Sequence, residues 1–337
     1  MSRRRFLVTG GAGFVGSHMV AALRDQGDEV VVLDNLNTGH LGSVPADVRF
    51  IAGDMGDAAL LDGLLGDGTW TAVFHFASVT QVGESMRMPM RYLLENAAKT
   101  MVLIDACVRH QVNRLILSST AALFNAADGR PIPEDAPIDP QSPYGESKWM
   151  AERALHWAFV AHGLRSARLR YFNAAGADPA GRLGEDHRPE SHLIPLAIDA
   201  ALGRRPPLGV YGADYPTADG TCVRDYVHVT DLAAAHLLAL DRLGDQPEVT
   251  WNLGSGTGHS VMEVIRATEH VSGLRVPREI APRRPGDAAV LVAASGRARA
   301  AGWSPKHEAL DEIVRTAFAW RSAHPDGYGA RTLIASG

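Results

Sequence analysis

The chain has 337 residues, 46% of them hydrophobic and 21% charged, and a formal net charge of -5. That length suffices for two domains or one large α/β domain with a lobe, and the composition excludes general disorder. The charge, with basic residues scattered, excludes a nucleic-acid partner.

The chain opens on Arg3 to Arg5, a charged end that runs straight into RFLVTGG, so no signal peptide is expected. Five short apolar runs follow with helical patterns between them: Phe6 to Thr9, Glu29 to Asp34, Arg49 to Asp54, Ala72 to Ala77 and Arg114 to Ser119. They lack strict alternation, as strands do when both faces of a parallel sheet are covered. The clearest helix runs from Gly16 to Gln26 and stops at Gly27, a C-cap residue. Such repetition predicts right-handed βαβ units and a doubly wound parallel sheet, a Rossmann domain. From Asn173 the texture changes, with frequent Gly and Pro up to Thr221. A strand at Tyr226 to Val229 and a helix at Asp231 to Leu243 return to the first domain, and a second irregular region starts at Gly254. The expected division is a dinucleotide domain over 1–172 that recovers the chain at about 226–252. A smaller mixed α/β lobe is expected from 173–225 and 253–330.

Gly10, Gly13 and Gly16 lie between the first strand and the first helix. Glycine there lets the backbone turn tightly and approach a pyrophosphate, which meets free N–H groups at the helix N-terminus. Asp34 ends the second strand, where its carboxylate can accept from ribose hydroxyls and repel a 2′-phosphate. No Arg follows in Asn35 to Thr38, so NAD is expected rather than NADP. Asp54 closes the third strand and either reaches the adenine or caps the strand. Phe76 and Ala77 end the fourth beside the expected cofactor, a place where Phe76 equally fits a packing role.

Tyr144 and Lys148, in SPYGESK, are four apart and share a helical face. A phenol is a poor base at neutral pH, and an ammonium and a nicotinamide cation nearby would stabilise its phenolate. Thr120 stands at the carboxyl end of the fifth strand, where open α/β sheets place ligands. Spacing of this kind also arises by chance; together with the glycines and Asp34 it points to a catalytic hydroxyl set. Cys107 and Cys222 form neither a CxxC motif nor a disulfide framework, which suits a reducing compartment. No residues are assigned to a metal. No run reaches the roughly 18 apolar residues that span a bilayer. A cytoplasmic protein without membrane association is therefore expected.

These segments, with LDNL, HFAS, VGES, LRYFNAAGADP, YPTADGTCVRDYVHV, NLGSGTGHSV and APRRPGD, resemble the extended short-chain dehydrogenase/reductase family, in particular its nucleotide-sugar 4-epimerases. The resemblance covers nearly the whole chain. It implies reversible C4 epimerisation of a UDP-hexose (UDP-galactose/UDP-glucose) through a transient 4-keto sugar, with NAD tightly bound. Tyr144 is then the base, Lys148 its partner and a cofactor ligand, and Thr120 the neighbouring hydroxyl. It also assigns Phe14, Val15, Asn35, Met55, Asn96 and Tyr171 to the cofactor. To the UDP-sugar it assigns Asn173, His192, Leu193 and Tyr226, with Arg224 and Arg284 on the diphosphate, Tyr211 near the uracil, Asp287 on a ribose hydroxyl and Leu291 at the sugar pocket. A homodimer through the helices that begin near Pro89 and Tyr144 is implied as well.

Four positions depart from the pattern: Phe124-Asn125 replaces Tyr-Gly, Thr80 replaces a Lys, Glu95-Asn96 replaces Asn-Asn, and Leu291 replaces a Tyr or Cys. A UDP-xylose/UDP-arabinose or UDP-N-acetylhexosamine 4-epimerase would use the same catalytic residues. A 4,6-dehydratase is disfavoured because Ala121-Ala122 stand where an acid pair is needed. A non-catalytic NAD sensor would have no use for Tyr144, Lys148, Arg224 and Arg284.

Overall fold

The structure, a computed structural model, describes residues 3–125, 129–284 and 287–329. In chain order the first half runs β1 (Arg5–Thr9), α1 (Phe14–Asp25), β2 (Glu29–Asp34), β3 (Arg49–Ala52), α2 (Ala58–Leu65) and β4 (Ala72–His75). Two short helices, α3 (Val82–Ser85) and α4 (Pro89–Tyr92), lead through a π-helical turn (Leu93–Ala98) into α5 (Lys99–Arg109). Then come β5 (Arg114–Thr120), α6 (Pro143–His162) and β6 (Arg165–Tyr171). The second half comprises β7 (Asn173–Ala175), α7 (Leu193–Ala201), β8 (Leu208–Tyr211), β9 (Val223–His228), α8 (Val229–Arg242) and β10 (Glu248–Leu253). It ends with β11 (Gly258–Ser260), α9 (Val261–Ser272), β12 (Arg278–Ala281), β13 (Val290–Leu291), α10 (Gly296–Ala300) and α11 (Leu310–Ala323).

Seven strands form one parallel sheet in the order β10-β6-β5-β4-β1-β2-β3. The apolar runs are explained by which side each residue faces. Phe6, Val8, Val32, Phe74 and Ile116 enter a core that includes residues of α1 and α8. Leu7, Val31, Leu33, Val73, Leu115 and Leu117 enter the opposite core, with residues of α2, α5 and α6. Both faces are buried, so both alternating sets are apolar. The strands at 49–54 and 72–77 stop two residues earlier than expected, because the chain turns there to present Asp54 and Phe76.

The remaining strands make smaller sheets: β9 pairs with β7, β11 and β13, and β8 with β12. Helices α7, α9 and α11 bury Ile198, Val264 and Val314 with Tyr226 in a separate core. Among the described residues no helix is long and apolar enough to cross a membrane.

Candidate active site

The strand order reverses between β1 and β4, and such a switch point leaves a crevice at the carboxyl ends of the strands. Gly10 follows β1 at φ 72°, a left-handed conformation that disfavours side chains. A Cβ there would lie 2.7 Å from Ala77 Cα. The backbone N–H groups of Phe76 and Ala77 both donate to the Thr9 carbonyl, at 2.9 and 3.1 Å. At Gly16 a Cβ would meet the Gly10 carbonyl carbon at 2.9 Å. Gly13 precedes α1, and no side chain caps that helix N-terminus, which begins with Phe14 and Val15. A bare cradle of this kind fits a pyrophosphate. Gly10→Ala is expected to abolish co-purification of dinucleotide, at a stability cost of about 1–3 kcal/mol for the strained backbone. Absorbance of the nucleotide released by acid, together with thermal melting, checks this.

Asp34 is buried and accepts from Ala12 N–H at 3.0 Å and Leu36 N–H at 2.8 Å. Burial raises its pKa, and the two backbone donors oppose that. One lone pair on each oxygen stays free for a diol. Asp54 is tied to Lys99 Nζ at 2.6 Å, to Gly56 N–H at 2.7 Å and to Asn35 Nδ2 at 3.4 Å, and Lys99 also pairs with Glu95 at 2.7 Å. Asp54 therefore belongs to a charged bracket rather than capping its strand alone. Lys99, four residues after Glu95, was legible only as an i,i+4 pair. Met55 is buried beside Asp54. Phe76 packs its ring 4.9 Å from that of buried His236.

Asn96, expected at the cofactor, is engaged within the protein. Its Oδ1 accepts from Val79 N–H at 2.9 Å and Ser78 Oγ at 3.1 Å, and its Nδ2 donates to Val79 O at 2.9 Å and Ser147 Oγ at 3.0 Å. Every hydrogen-bonding position of the amide is engaged, so Asn96 pins the loop after β4 to α6. Thr80, on that loop, is exposed.

Helix α6 brings Tyr144 to Thr120. Ser142 Oγ caps it through Gly145 N–H at 3.2 Å, and Pro143 occupies its first turn, suiting the missing donor there. A Cβ at Gly145 would come within 3.1 Å of the Ala122 carbonyl carbon, so the first turn packs closely on the chain leaving β5. Tyr144 is buried and edge-on to Tyr92 at 6.4 Å, and the Thr120 hydroxyl acts on its phenol. Lys148, also buried, donates to the Ser118 carbonyl at 3.0 Å. Tyr171 is hydrogen-bonded to the Ser118 hydroxyl and is aligned with Thr120 across β5 and β6.

Burial lowers Lys148 to about 7, partly offset by Glu152, and burial raises the Tyr144 phenol, opposed by the Thr120 hydroxyl. An ammonium one turn away would pull the phenol down, but desolvation is the largest influence on both groups.

Across the crevice, Asn173 Nδ2 donates to the Asp225 carbonyl at 2.9 Å. The buried Asp225 carboxylate, missed in the sequence, accepts from the N–H groups of Ser255, Gly256 and Ala293 at 2.8, 3.1 and 3.0 Å and thereby gathers the turns around β9. Arg224 is ion-paired with Asp287, and Arg284 lies 4.0 Å over the exposed Tyr211 ring. The four residues expected to hold UDP are thus brought together as two pairs, each occupying the other's free face. Pro285 and Gly286 of APRRPGD lie outside the described residues.

Tyr226, expected at the UDP-sugar, has its ring buried in the α7–α9–α11 core. Leu193 starts α7 and packs on the same core, and His192 just before it is hydrogen-bonded to Glu185. Leu291 packs with Leu123, Phe124 and Ile132, beside the loop that follows β5. Phe124 is itself buried beneath Arg170 at 5.4 Å, and Asn125 is held by Asp139 at 3.0 Å.

A doubly wound sheet with an open glycine cradle, an acid at the end of β2 and a buried Tyr/Lys/Thr set at β5 and α6 defines a dinucleotide-dependent enzyme of the tyrosine–lysine type. A family model described as the NAD dependent epimerase/dehydratase family matches residues 6–254. The chain belongs to that family. It is 48% identical to a UDP-glucose 4-epimerase of Halalkalibacterium halodurans, over 96% of this chain and 97% of that protein. It is 49% identical to one of Azospirillum brasilense, over 96% and 94%. The crystal structure of UDP-glucose 4-epimerase from Brucella ovis in complex with NAD superposes with a TM-score of 0.91 at 44% identity, covering 94% of this chain and 98% of that one.

Proposed function

We propose that the chain catalyses reversible C4 epimerisation of a UDP-hexose, interconverting UDP-galactose and UDP-glucose with tightly bound NAD. The observation that carries this reading is the buried Tyr144, with the Thr120 hydroxyl acting on its phenol and the buried Lys148 one helical turn along α6. Gly10, Gly16 and the uncapped start of α1 would hold the pyrophosphate, Asp34 the adenosine ribose, and Lys148 the nicotinamide side. Bound NAD supplies a reversible acceptor for the C4 hydride and a positive charge beside the phenol. Tyr144 takes the proton of the 4-hydroxyl and returns it, Thr120 orients the phenol, and Lys148 places a cation near it. Arg224 and Arg284 clamp the diphosphate once the ligand parts them from Asp287 and Tyr211, so that the sugar can turn while the nucleotide stays fixed.

The dinucleotide unit comprises 1–172 and about 229–252, and the UDP-sugar unit 173–228 and 253–330; β9, expected with the first domain, pairs with β7, β11 and β13, which supports placing it in the second unit. The working form is a homodimer: Met101, Met150, Trp157 and Val160 stand exposed on α5 and α6, and apolar surface of this extent suits a second copy. Both cysteines are buried and free, in keeping with a reducing cytoplasm.

The test is a chromatographic assay of purified protein, without added cofactor, on UDP-galactose, UDP-N-acetylgalactosamine and UDP-xylose. Conversion of UDP-galactose to UDP-glucose supports the reading. Turnover of only one of the others moves the substrate, and no turnover even with added NAD overturns it. Leu291 sets how bulky a sugar fits. Leu291→Tyr is expected to cut kcat/KM for the N-acetylated sugar at least tenfold relative to UDP-galactose, within the roughly 10–200-fold that pocket volume changes command.

A further inference from the structure

The loop between β7 and α7 carries Glu185, His187, Glu190 and His192, and one ligating atom from each lies within 4.8 Å of the others. His187 Nδ1 is 3.0 Å from Glu185 Oε1 and 3.6 Å from Glu190 Oε1, and His192 Nδ1 meets the same Glu185 oxygen. A tetrahedral cation bound at about 2.0–2.2 Å by imidazole and carboxylate holds its ligand atoms about 3.3–3.6 Å apart. The His187 contacts bracket that spacing before any ion is present.

The two carboxylates are withdrawn from water, with side chains only 5% and 8% exposed. Glu190 Oε1 accepts from the N–H groups of Ser191 and His192 at 2.8 and 3.0 Å, whereas its buried Oε2 has no hydrogen-bond partner. A buried carboxylate oxygen left unpaired is costly unless a cation completes it. The Arg321 guanidinium, at 3.9 Å, is a distant partner, committed to Asp199 at 2.6 Å and to the Glu185 carbonyl at 3.1 Å.

The cage is also held from outside. His40 Nε2 donates to the Asp186 carbonyl at 2.6 Å, Tyr328 N–H to Asp186 Oδ2 at 3.1 Å, and Arg188 to the Asp326 carbonyl at 2.7 Å. Segments from the first and last parts of the chain thus fix the loop, so its donors are ordered in advance. Mixed imidazole and carboxylate donors select zinc-like ions over Mg²⁺ or Ca²⁺, which take oxygen alone.

We propose that Glu185, His187, Glu190 and His192 bind one divalent transition-metal cation of the zinc class, a structural clamp on the loop that leads into α7. The proposal does not depend on the sugar chemistry, and its readouts are not activities. Full-length protein, stripped with EDTA and dialysed with its NAD in place, is titrated with Co²⁺ alone. The expected result is one Co²⁺ per chain, with the intense visible d–d band of a four-coordinate site, bleached by an equivalent of Zn²⁺ and accompanied by a rise in Tm. His187→Ala should weaken Co²⁺ binding by at least the roughly 10–100-fold that loss of an outer-shell partner costs a metal site. The exposed His270, paired with Asp311 at 2.8 Å, serves as control, and His270→Ala should leave the band unchanged. Retention of NAD shows that each variant is folded, and Glu190→Gln replaces His187→Ala if the latter is not. Absence of the band in the unaltered chain, or its persistence in the folded variant, would overturn the proposal.

Discussion

Tyr144→Phe is expected to lower kcat by about 10²–10⁴-fold, the contribution typical of a positioned acid–base group, while leaving NAD and UDP-sugar binding intact. The substitution removes one oxygen. The ring that packs edge-on to Tyr92 remains, so α6 keeps its seat on the chain leaving β5. Thr120 keeps its bond from Ala122 N–H at 3.1 Å, and Lys148 keeps the Ser118 carbonyl. Single-turnover and steady-state rates on UDP-galactose, with calorimetric titration of UDP, separate the two effects. If the variant loses NAD or UDP along with turnover, Tyr144 is a packing residue and the proton path runs elsewhere.

Glu152→Ala is expected to cost about 3–5 kcal/mol of folding stability, the usual consequence of removing one partner from a buried ion pair. Glu152 holds Arg170 with two bonds, at 2.9 and 2.6 Å, and accepts from Ser119 Oγ at 2.6 Å. Their side chains are 2% and 6% exposed, so Arg170 would be left charged without compensation. Denaturant unfolding of the two proteins checks the loss, and a change below about 1 kcal/mol would mean that water reaches Arg170. A second consequence reaches the site. Glu152 raises the Lys148 pKa against burial, so its removal lowers that pKa further and shifts the pH dependence of NAD retention upon titration of Lys148.

Much of the framework was legible from residue patterns. Strands whose two faces are both apolar announce a sheet covered on both sides, and β1, β2 and β5 lie within a residue of the expected bounds. Gly10 and Gly16 announced a tight turn open to a pyrophosphate, and the structure adds that a Cβ at either would meet neighbouring backbone. The four-residue spacing of Tyr144 and Lys148 is a local property of a helix, so their shared face could be read without the fold. The surroundings of Asn96 and Tyr226 were not legible, for one reason. Whether a polar side chain faces a ligand or the protein depends on what packs against it, and Val79, Ser147 and the α7–α9–α11 core come from remote stretches of chain.

The sequence by itself determined the doubly wound sheet, the glycine turn, the acid after β2 and the helix that carries Tyr144 and Lys148, each encoded by periodicity or turn chemistry over a few neighbouring residues. Only the tertiary structure decided that Arg224 pairs with Asp287, that Asp225 gathers the turns around β9, that Lys99 joins Asp54 to Glu95, and that two glutamates and two histidines converge on one point. Most of these contacts join residues far apart in the chain, and all depend on how their backbones converge. Side-chain charge is written locally, but its partner is chosen by whichever segment the fold brings within a few ångströms.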